Sequence, residues 1–211
     1  HDALPISDLA ADAQLIREQA DRCRDILRSM GKAGKDDLHM RQAPLSAVLH
    51  EAAEPHLGRG KLVHFNLAAL GNGQKEEPAI LRRPELIHGL RNLIQNAVDF
   101  AQTQIWVDAS WTADRLTLRI IDDGDGFPPQ VLGRIGDPFL RSRREDAAAV
   151  RRPGYEGMGL GLFIAKTLLE RTGAELSFAN AADPFLGTDE RPERSGAIVE
   201  AVWPLMIVTA Q

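Results

Sequence analysis

Apolar residues recur along this chain with two different periods, and the change from one to the other divides it. Over residues 8–30, Leu9, Ala13, Ile16, Ala20, Cys23, Leu27 and Met30 follow spacings of 4, 3, 4, 3, 4 and 3. Charged residues such as Arg17, Glu18, Arg22, Arg24 and Asp25 lie between them. This heptad seam predicts one long α-helix whose narrow apolar stripe suits packing against another helix, in a hairpin or a dimer. A helix packed on its own domain is the alternative, although a broad core face favours a wider stripe. The stretch "GKAGKDD" (31–37) then breaks the pattern and reads as a linker. The division is residues 1–38, helix plus linker, and residues 39–211, a separate domain.

In the second part the pattern mixes helix and strand. A helix is expected around 44–57, a strand in "KLVHFNLAA" from Lys61, and a helix from Pro84 to Ala101 with Leu86, Ile87, Leu90, Leu93, Ile94, Ala97, Val98 and Ala101 on its apolar side. "TQIWVDAS" and "RLTLRIIDD" alternate as two strands joined by a turn near Thr112–Asp114. Residues 134–158 are polar, Arg-rich and Gly-containing, the mark of a long loop. A helix follows over about Leu160–Thr172, stopped by Gly173, and "AELSFAN" and "GAIVEAVWPL" close the chain as strands. Without regular βαβ alternation, the expected class is α+β: a two-layer sandwich of a mixed β-sheet with helices on one face.

Composition narrows this little. The chain has 211 residues, 25 basic and 30 acidic, so a net charge of −5 that gives no case for nucleic acid as a partner. The local gathering of arginines between Arg134 and Arg152 matters more. One cysteine excludes an internal disulfide framework and fits a reducing compartment. With no apolar run of about 18 residues and no signal peptide, the expectation is a soluble cytoplasmic piece. It opens on "HDALPISDLA", so it is expected to be a fragment of a longer protein.

Three stretches carry candidate chemistry. In "NLIQNAVDFA", Asn92, Asn96 and Asp99 lie off the apolar stripe on one side of a helix, although asparagine is a mediocre helix former. A solvated polar face would look the same. Alternatively, two carbonyl oxygens one turn apart can serve a hard cation such as Mg²⁺, which keeps waters for bound phosphates. In "IIDDGDGFP", Asp122-x-Gly124-x-Gly126 directly follows a strand. A carboxylate there can sit in a pocket floor and accept a hydrogen bond from an exocyclic amine while the glycines let the backbone turn closely. A tight turn between strands would read alike. In "GYEGMGLGLFIAK", Gly157, Gly159 and Gly161 precede or open a helix whose first N–H groups and positive dipole end receive phosphate well. It lacks the lysine of a P-loop and stands too late in the chain for a dinucleotide fingerprint.

In this order, Asn-x-x-x-Asn, Asp-x-Gly-x-Gly, a Phe-Arg segment and Gly-x-Gly-x-Gly resemble the N, G1, F and G2 boxes of sensor histidine kinases, within the gyrase/Hsp90/histidine-kinase/MutL superfamily. The resemblance covers about 40–207 and implies a Bergerat-type ATP-binding fold. "NLIQNAVDFA", "DDGDGFPPQVLGRIGDPF" and "GMGLGLFIAKTLLERTGAELSFAN" are similar to the RegB/PrrB type of redox-responding kinase. It implies transfer of the ATP γ-phosphate to a histidine, for relay to an aspartate of a response regulator, with ATP and Mg²⁺ bound. It further implies a homodimer anchored, in full length, in the inner membrane. The helix of 8–30 would be the second helix of the dimerisation and phosphoacceptor hairpin.

By position, Asn96 resembles the Mg²⁺ ligand, with Asn92 one turn before it near the phosphates. Asp122 resembles the adenine-reading carboxylate, with Gly124 and Gly126 shaping the pocket beneath the base. Phe100 stands at the usual Tyr position, able to stack on adenine. Phe139 matches the F box, and Gly157, Gly159, Leu160 and Gly161 resemble the phosphate-binding end of the ATP lid. Superfamily members that hydrolyse ATP carry Glu where Asn92 stands; Asn cannot act as a base, which favours transfer over hydrolysis. One residue departs: Asp99 replaces the Lys usual three residues after the second Asn, so it either points away or pairs with an Arg. Arg141, Arg143, Arg144 or Lys166 could supply the missing charge. Asp99 is also the one feature favouring the alternative of a degenerate nucleotide-binding and dimerisation module without transfer.

An acceptor histidine is not found. His1-Asp2 with Pro5 approximates the acceptor motif, but the Pro falls one residue early; the other histidines are scattered and lack metal spacing. The acceptor helix is therefore expected outside this sequence, which would then not label itself. Cys23 on the apolar seam reads as a small buried hydrophobe. The resemblance instead implies a redox cysteine, whose thiolate Arg22 and Arg24 would favour.

Overall fold

The computed structural model describes residues 42–71, 75–135, 158–182 and 192–209. The chain divides into two units, His1–Met40 and Arg41–Gln211, and every described residue belongs to the second. The heptad segment 8–30 with Cys23, and most of the expected loop 134–158, lie outside the described residues.

The described unit begins with β1 (Gln42–Pro44) and α1 (Leu45–Ala53). Leu45, Val48, Leu49, Ala52 and Ala53 are buried, a spacing that puts them on one helical face. Pro55 then turns the chain through a single 3₁₀ turn, Glu54–His56. β2 (Leu62–Ala69) and β3 (Ala79–Leu81) follow. β3 pairs antiparallel with β1 in a small ribbon that lies outside the main sheet. Three residues per strand carry no readable alternation, so the ribbon was not legible as sequence.

α2 (Pro84–Phe100) starts on Pro84, whose fixed φ and missing N–H suit a first helical position. Leu86, Gly89, Leu90, Leu93, Ile94, Ala97 and Val98 form its buried face. β4 (Gln104–Trp111) and β5 (Arg115–Asp122) make a hairpin, followed by the short α3 (Pro129–Leu132), α4 (Met158–Arg171), β6 (Glu175–Asn180), β7 (Ala197–Pro204) and α5 (Leu205–Val208). The sheet order is β2-β4-β5-β7-β6, with β2 parallel to β4 and every other pair antiparallel. The mixed sheet and α+β class expected above are present.

Alternation along the strands sets the two faces of the sheet. Ile105, Val107, Ala109 and Trp111 of β4, Leu116, Leu118 and Ile120 of β5, and Ala197, Val199, Ala201 and Trp203 of β7 join α1, α2 and α4 in one core. α2 and α4 meet closely: a Cβ on Gly89 would stand 2.6 Å from the Leu169 side chain. Gly173, at φ +89°, ends α4, and the Trp203 indole donates to Thr172 Oγ1 at 2.9 Å, tying that end to β7.

Candidate functional site

The site is built where α2 ends and β5 ends. Ala101 leaves the helix with ψ 148°, so the last carbonyls of α2 need partners from elsewhere. Lys61 supplies one at the C-cap, donating from Nζ to Ala101 O at 2.8 Å, and also binds Gln102 O just past the helix. On the other side of this turn Asp123 accepts from the N–H groups of Gln102 at 2.7 Å, of Thr103 at 2.9 Å and of Gln104 at 3.0 Å, and from the Thr103 hydroxyl. Burial raises the Asp123 carboxyl, but the bonds from the Thr103 hydroxyl and from the N–H groups of Thr103, Gln104 and Gln102 outweigh it and hold the group below its usual range. Asp123 thus bolts the end of β5 to the end of α2.

Asp122 beside it is buried, 3% exposed. Its Oδ1 accepts both Gly124 N–H at 2.9 Å and Ala197 N–H at 3.1 Å. The backbone therefore fixes the carboxylate through Oδ1, and a carboxylate oxygen can accept further donors at Oδ2. Burial pushes this carboxyl up to about 6; the two backbone N–H groups pull it down, and the negative charge of Asp123 adds to the rise.

Glycines make the close approach possible. A Cβ on Gly124 would stand 2.4 Å from Phe100 O, and one on Gly196 would stand 1.9 Å from Asp122 Oδ1. Gly126 has φ +76° and lies against Asn180, whose amide clasps Phe127: Oδ1 accepts from Phe127 N–H at 2.7 Å and Nδ2 donates to Phe127 O at 2.8 Å. Phe100, at the contact with Gly124, continues the line of Asn92 and Asn96 at four-residue steps, so that helical line runs down to the Asp122 loop.

The residues singled out from sequence divide as follows. Asn92, Asn96 and Phe100 share one line on α2; Asp122, Gly124 and Gly126 form the loop at its foot. The Asn92 amide donates to His88 O at 3.0 Å, a bond within its own helix. Gly159, Leu160 and Gly161 lie in the first turns of α4, which begins at Met158, two residues before the expected start. Phe139, Arg141, Arg143, Arg144 and Gly157 lie outside the described residues. Lys166 faces Glu170 at 4.0 Å. Asp99 pairs with Arg59 at 2.9 Å, so a residue from the loop before β2 neutralises its charge. Sequence reading missed Arg59, Lys61, Asn180 and Gly196. The Ser-Gly pair ahead of "AIVEAV" was the one available signal for a close approach.

Residues 82–207 match the family described as histidine kinase-, DNA gyrase B-, and HSP90-like ATPase. The chain belongs to this ATPase family. It is 72% identical over 197 residues to sensor histidine kinase RegB of Cereibacter sphaeroides, covering 93% of this chain and 43% of that protein. Sensor protein QseC of Escherichia coli is 35% identical over 92 residues, 44% of this chain and 18% of that protein. The chain therefore spans less than half the length of these relatives. Among solved structures, mycobacterial sensor histidine kinase MprB superposes with a TM-score of 0.56 at 22% identity, covering 77% of this chain and 97% of that one. Histidine kinase AdeS of Acinetobacter baumannii gives 0.55 at 14% identity, over 97% of this chain and 87% of that one. These two establish the fold of the histidine kinase catalytic domain. Among the described residues no helix is long and apolar enough to cross a membrane.

Proposed function

We propose that this chain is the ATP-binding catalytic part of a two-component sensor histidine kinase of the RegB type. It moves the γ-phosphate of ATP to a histidine on an acceptor helix, for relay to a response-regulator aspartate. The observation that carries this reading is the Asp122 arrangement: a buried carboxylate held by Gly124 and Ala197 N–H through Oδ1, with Oδ2 left to accept from the adenine amine. In this reading the phosphates run from there along the line of Phe100, Asn96 and Asn92 towards the glycines that open α4. Phe100 covers the base, and Gly126 shapes the pocket beneath it.

The donor set on α2 fits a hard cation, since Asn96 and Asn92 offer neutral amide oxygens and leave room for water and phosphate ligands. Asn96 is assigned to Mg²⁺, which when bound neutralises phosphate charge. Asn92 cannot take a proton from water, so a bound ATP awaits a positioned nucleophile instead of being hydrolysed. Phe139 and Arg141 belong, with Gly157, Gly159, Leu160 and Gly161, to a lid over the triphosphate. The full-length kinase is a homodimer with this part on the cytoplasmic side of the inner membrane. Cys23, between Arg22 and Arg24, is the residue on which a redox response would rest.

Calorimetry with ATP, ADP and GTP, with and without Mg²⁺, tests the site; transfer of labelled γ-phosphate to an acceptor helix supplied in trans tests the reaction. Absence of adenine-nucleotide binding would overturn the whole reading. Binding without transfer would favour the signalling module that works by dimerisation alone.

A further inference from the structure

Trp106 is buried on the side of the sheet that faces away from the helices. It is 5% exposed yet stands outside the main core, flanked along β4 by core-facing Ile105 and Val107. Its cover comes from two directions. His64 of β2 stacks on it with ring centroids 5.8 Å apart, and the Arg194 guanidinium lies over it, 5.1 Å from the ring centroid. Arg194 also binds the Asp108 carboxylate, which Asn66 holds from its other side at 2.6 Å. Glu193 accepts from the Gln104 amide at 3.4 Å.

This contact crosses a strand. Arg194 lies three residues before the start of β7, and β5 separates β7 from β4. The segment ahead of β7 is therefore stapled across β5 onto β4. The same segment continues into the residues that hold the carboxylate: Gly196 N–H donates to Asp122 O at 2.9 Å, and Ala197 N–H to Asp122 Oδ1 at 3.1 Å. Gly196 approaches so closely that its path admits little displacement. A cross-strand charge pair was available at Asp108 and Arg119, which face each other in register, but Arg119 pairs with Glu200 instead. Asp108 is thereby left to the incoming Arg194.

We propose that Arg194 is a positioning residue for adenine recognition: anchored to Asp108 and Trp106, it presses Gly196 and Ala197 against Asp122 from the far side of the sheet. The inference rests on the nucleotide reading of Asp122. Its effect passes through the Ala197 N–H, so removing the anchor loosens the carboxylate's aim and weakens the choice of base. It leaves the phosphate contacts on α2 and α4 as they are.

The test is calorimetry of ADP and GDP with the 211-residue protein. The wild type must first bind ADP; if it does not, the nucleotide reading itself fails. With that in hand, Arg194→Ala is expected to lower ADP affinity roughly fivefold, the scale of coupling between residues in one network. ADP-over-GDP preference should fall with it. Asp108→Ala should do the same, the double variant should be no worse than either single one, and Arg194→Lys, which keeps the ion pair, should recover part of the loss. Arg119→Ala removes an ion pair on the same sheet face and should leave base preference intact. If Arg194→Ala keeps wild-type ADP preference, or Arg119→Ala loses as much, the anchor has no part in recognition. Melting temperatures of the two variants separate aim from general loosening of the sheet.

Discussion

Asp122 and Asp123 stand side by side at the end of β5, and their surroundings shift the two carboxyls in opposite directions. Asp123 meets four donors from the turn after α2 and is held ionised. Asp122 is buried and meets two backbone donors, and burial pushes it up to about 6. One carboxylate fastens the turn after α2, and the other, in the proposed reading, meets the adenine amine.

Nucleotide affinity should therefore depend on pH in a defined direction. The adenine amine donates, so it needs Asp122 ionised. Below the raised value of about 6 the free site holds a proton that binding must expel. Affinity for ADP should then fall by about tenfold per pH unit as pH drops below that value. Calorimetry from pH 5 to 8 reads this, and a flat profile would speak against an adenine contact at Asp122.

Stability carries the opposite sign. The folded state binds the Asp122 proton more tightly than the unfolded chain, whose carboxyl titrates near 3.8. Raising pH through that window to about 6 costs the folded state up to roughly 3 kcal/mol, and the whole cost is present above it. Asp122→Asn keeps an oxygen for Gly124 and Ala197 N–H and carries no charge. Urea denaturation at pH 7.5 should show this variant at least as stable as wild type, with the difference shrinking toward pH 4, while adenine selection is lost.

Asp123→Ala should destabilise at neutral pH. It strips an ionised acceptor from three backbone N–H groups, at a cost of about 1–3 kcal/mol. Because this carboxyl is held low, its contribution is present above the unfolded value and disappears as pH falls through the folded one. The gap between wild type and Asp123→Ala should therefore narrow as pH falls below the unfolded value of 3.8; a gap that does not narrow in acid would contradict the hydrogen-bond account.

Gly196→Ala and Gly161→Ala should behave differently. The first drives a Cβ to 1.9 Å from Asp122 Oδ1 and 2.6 Å from Gly124 N, whereas the second meets nothing within 4 Å. Overpacking at Gly196 should cost about 1–3 kcal/mol and spoil ADP binding. Gly161→Ala, within α4, should stabilise by up to about 1 kcal/mol through helix propensity. Equal midpoints in denaturant would refute the packing argument.

Arg59 and Asp99 form a half-exposed pair, and such pairs contribute at most about 1 kcal/mol. Asp99→Ala should leave ATP affinity unchanged or higher. Arg59→Ala frees a carboxylate beside the α2 line and should weaken ATP more than adenosine, with the difference fading at high salt. Competition binding at two ionic strengths decides it.

The parts legible as sequence are those whose signal is local. α2 announced itself through apolar residues at helical spacing, of which Leu86, Leu90, Leu93, Ile94, Ala97 and Val98 are buried in the helix, and Asp122 through its place between an alternating strand and two glycines. The partners of these residues come from far along the chain: Ala197 is 75 positions from Asp122, and Lys61 is 40 from Ala101. No periodicity encodes such pairings. Trp106 shows the same limit, since Ile105, Trp106 and Val107 are buried in succession and the sequence gives no hint that Arg194 covers the middle one. α3 and α5, of four residues each, are too short for any hydrophobic period.

Leu169 resting in the space left by Gly89 has a consequence for how the site keeps its proportions. The register between α2 and α4 is set by a hole that one side chain fills, so the two helices meet as a keyed joint. Turning α4 by a single residue would swing Leu169 out by about 100° and offer Leu168 or Glu170 to the same notch. The glycines at the head of α4 are thus indexed to the asparagines of α2 through the fit of Leu169 at Gly89. A key of this kind passes rotation from one helix to the other without slip.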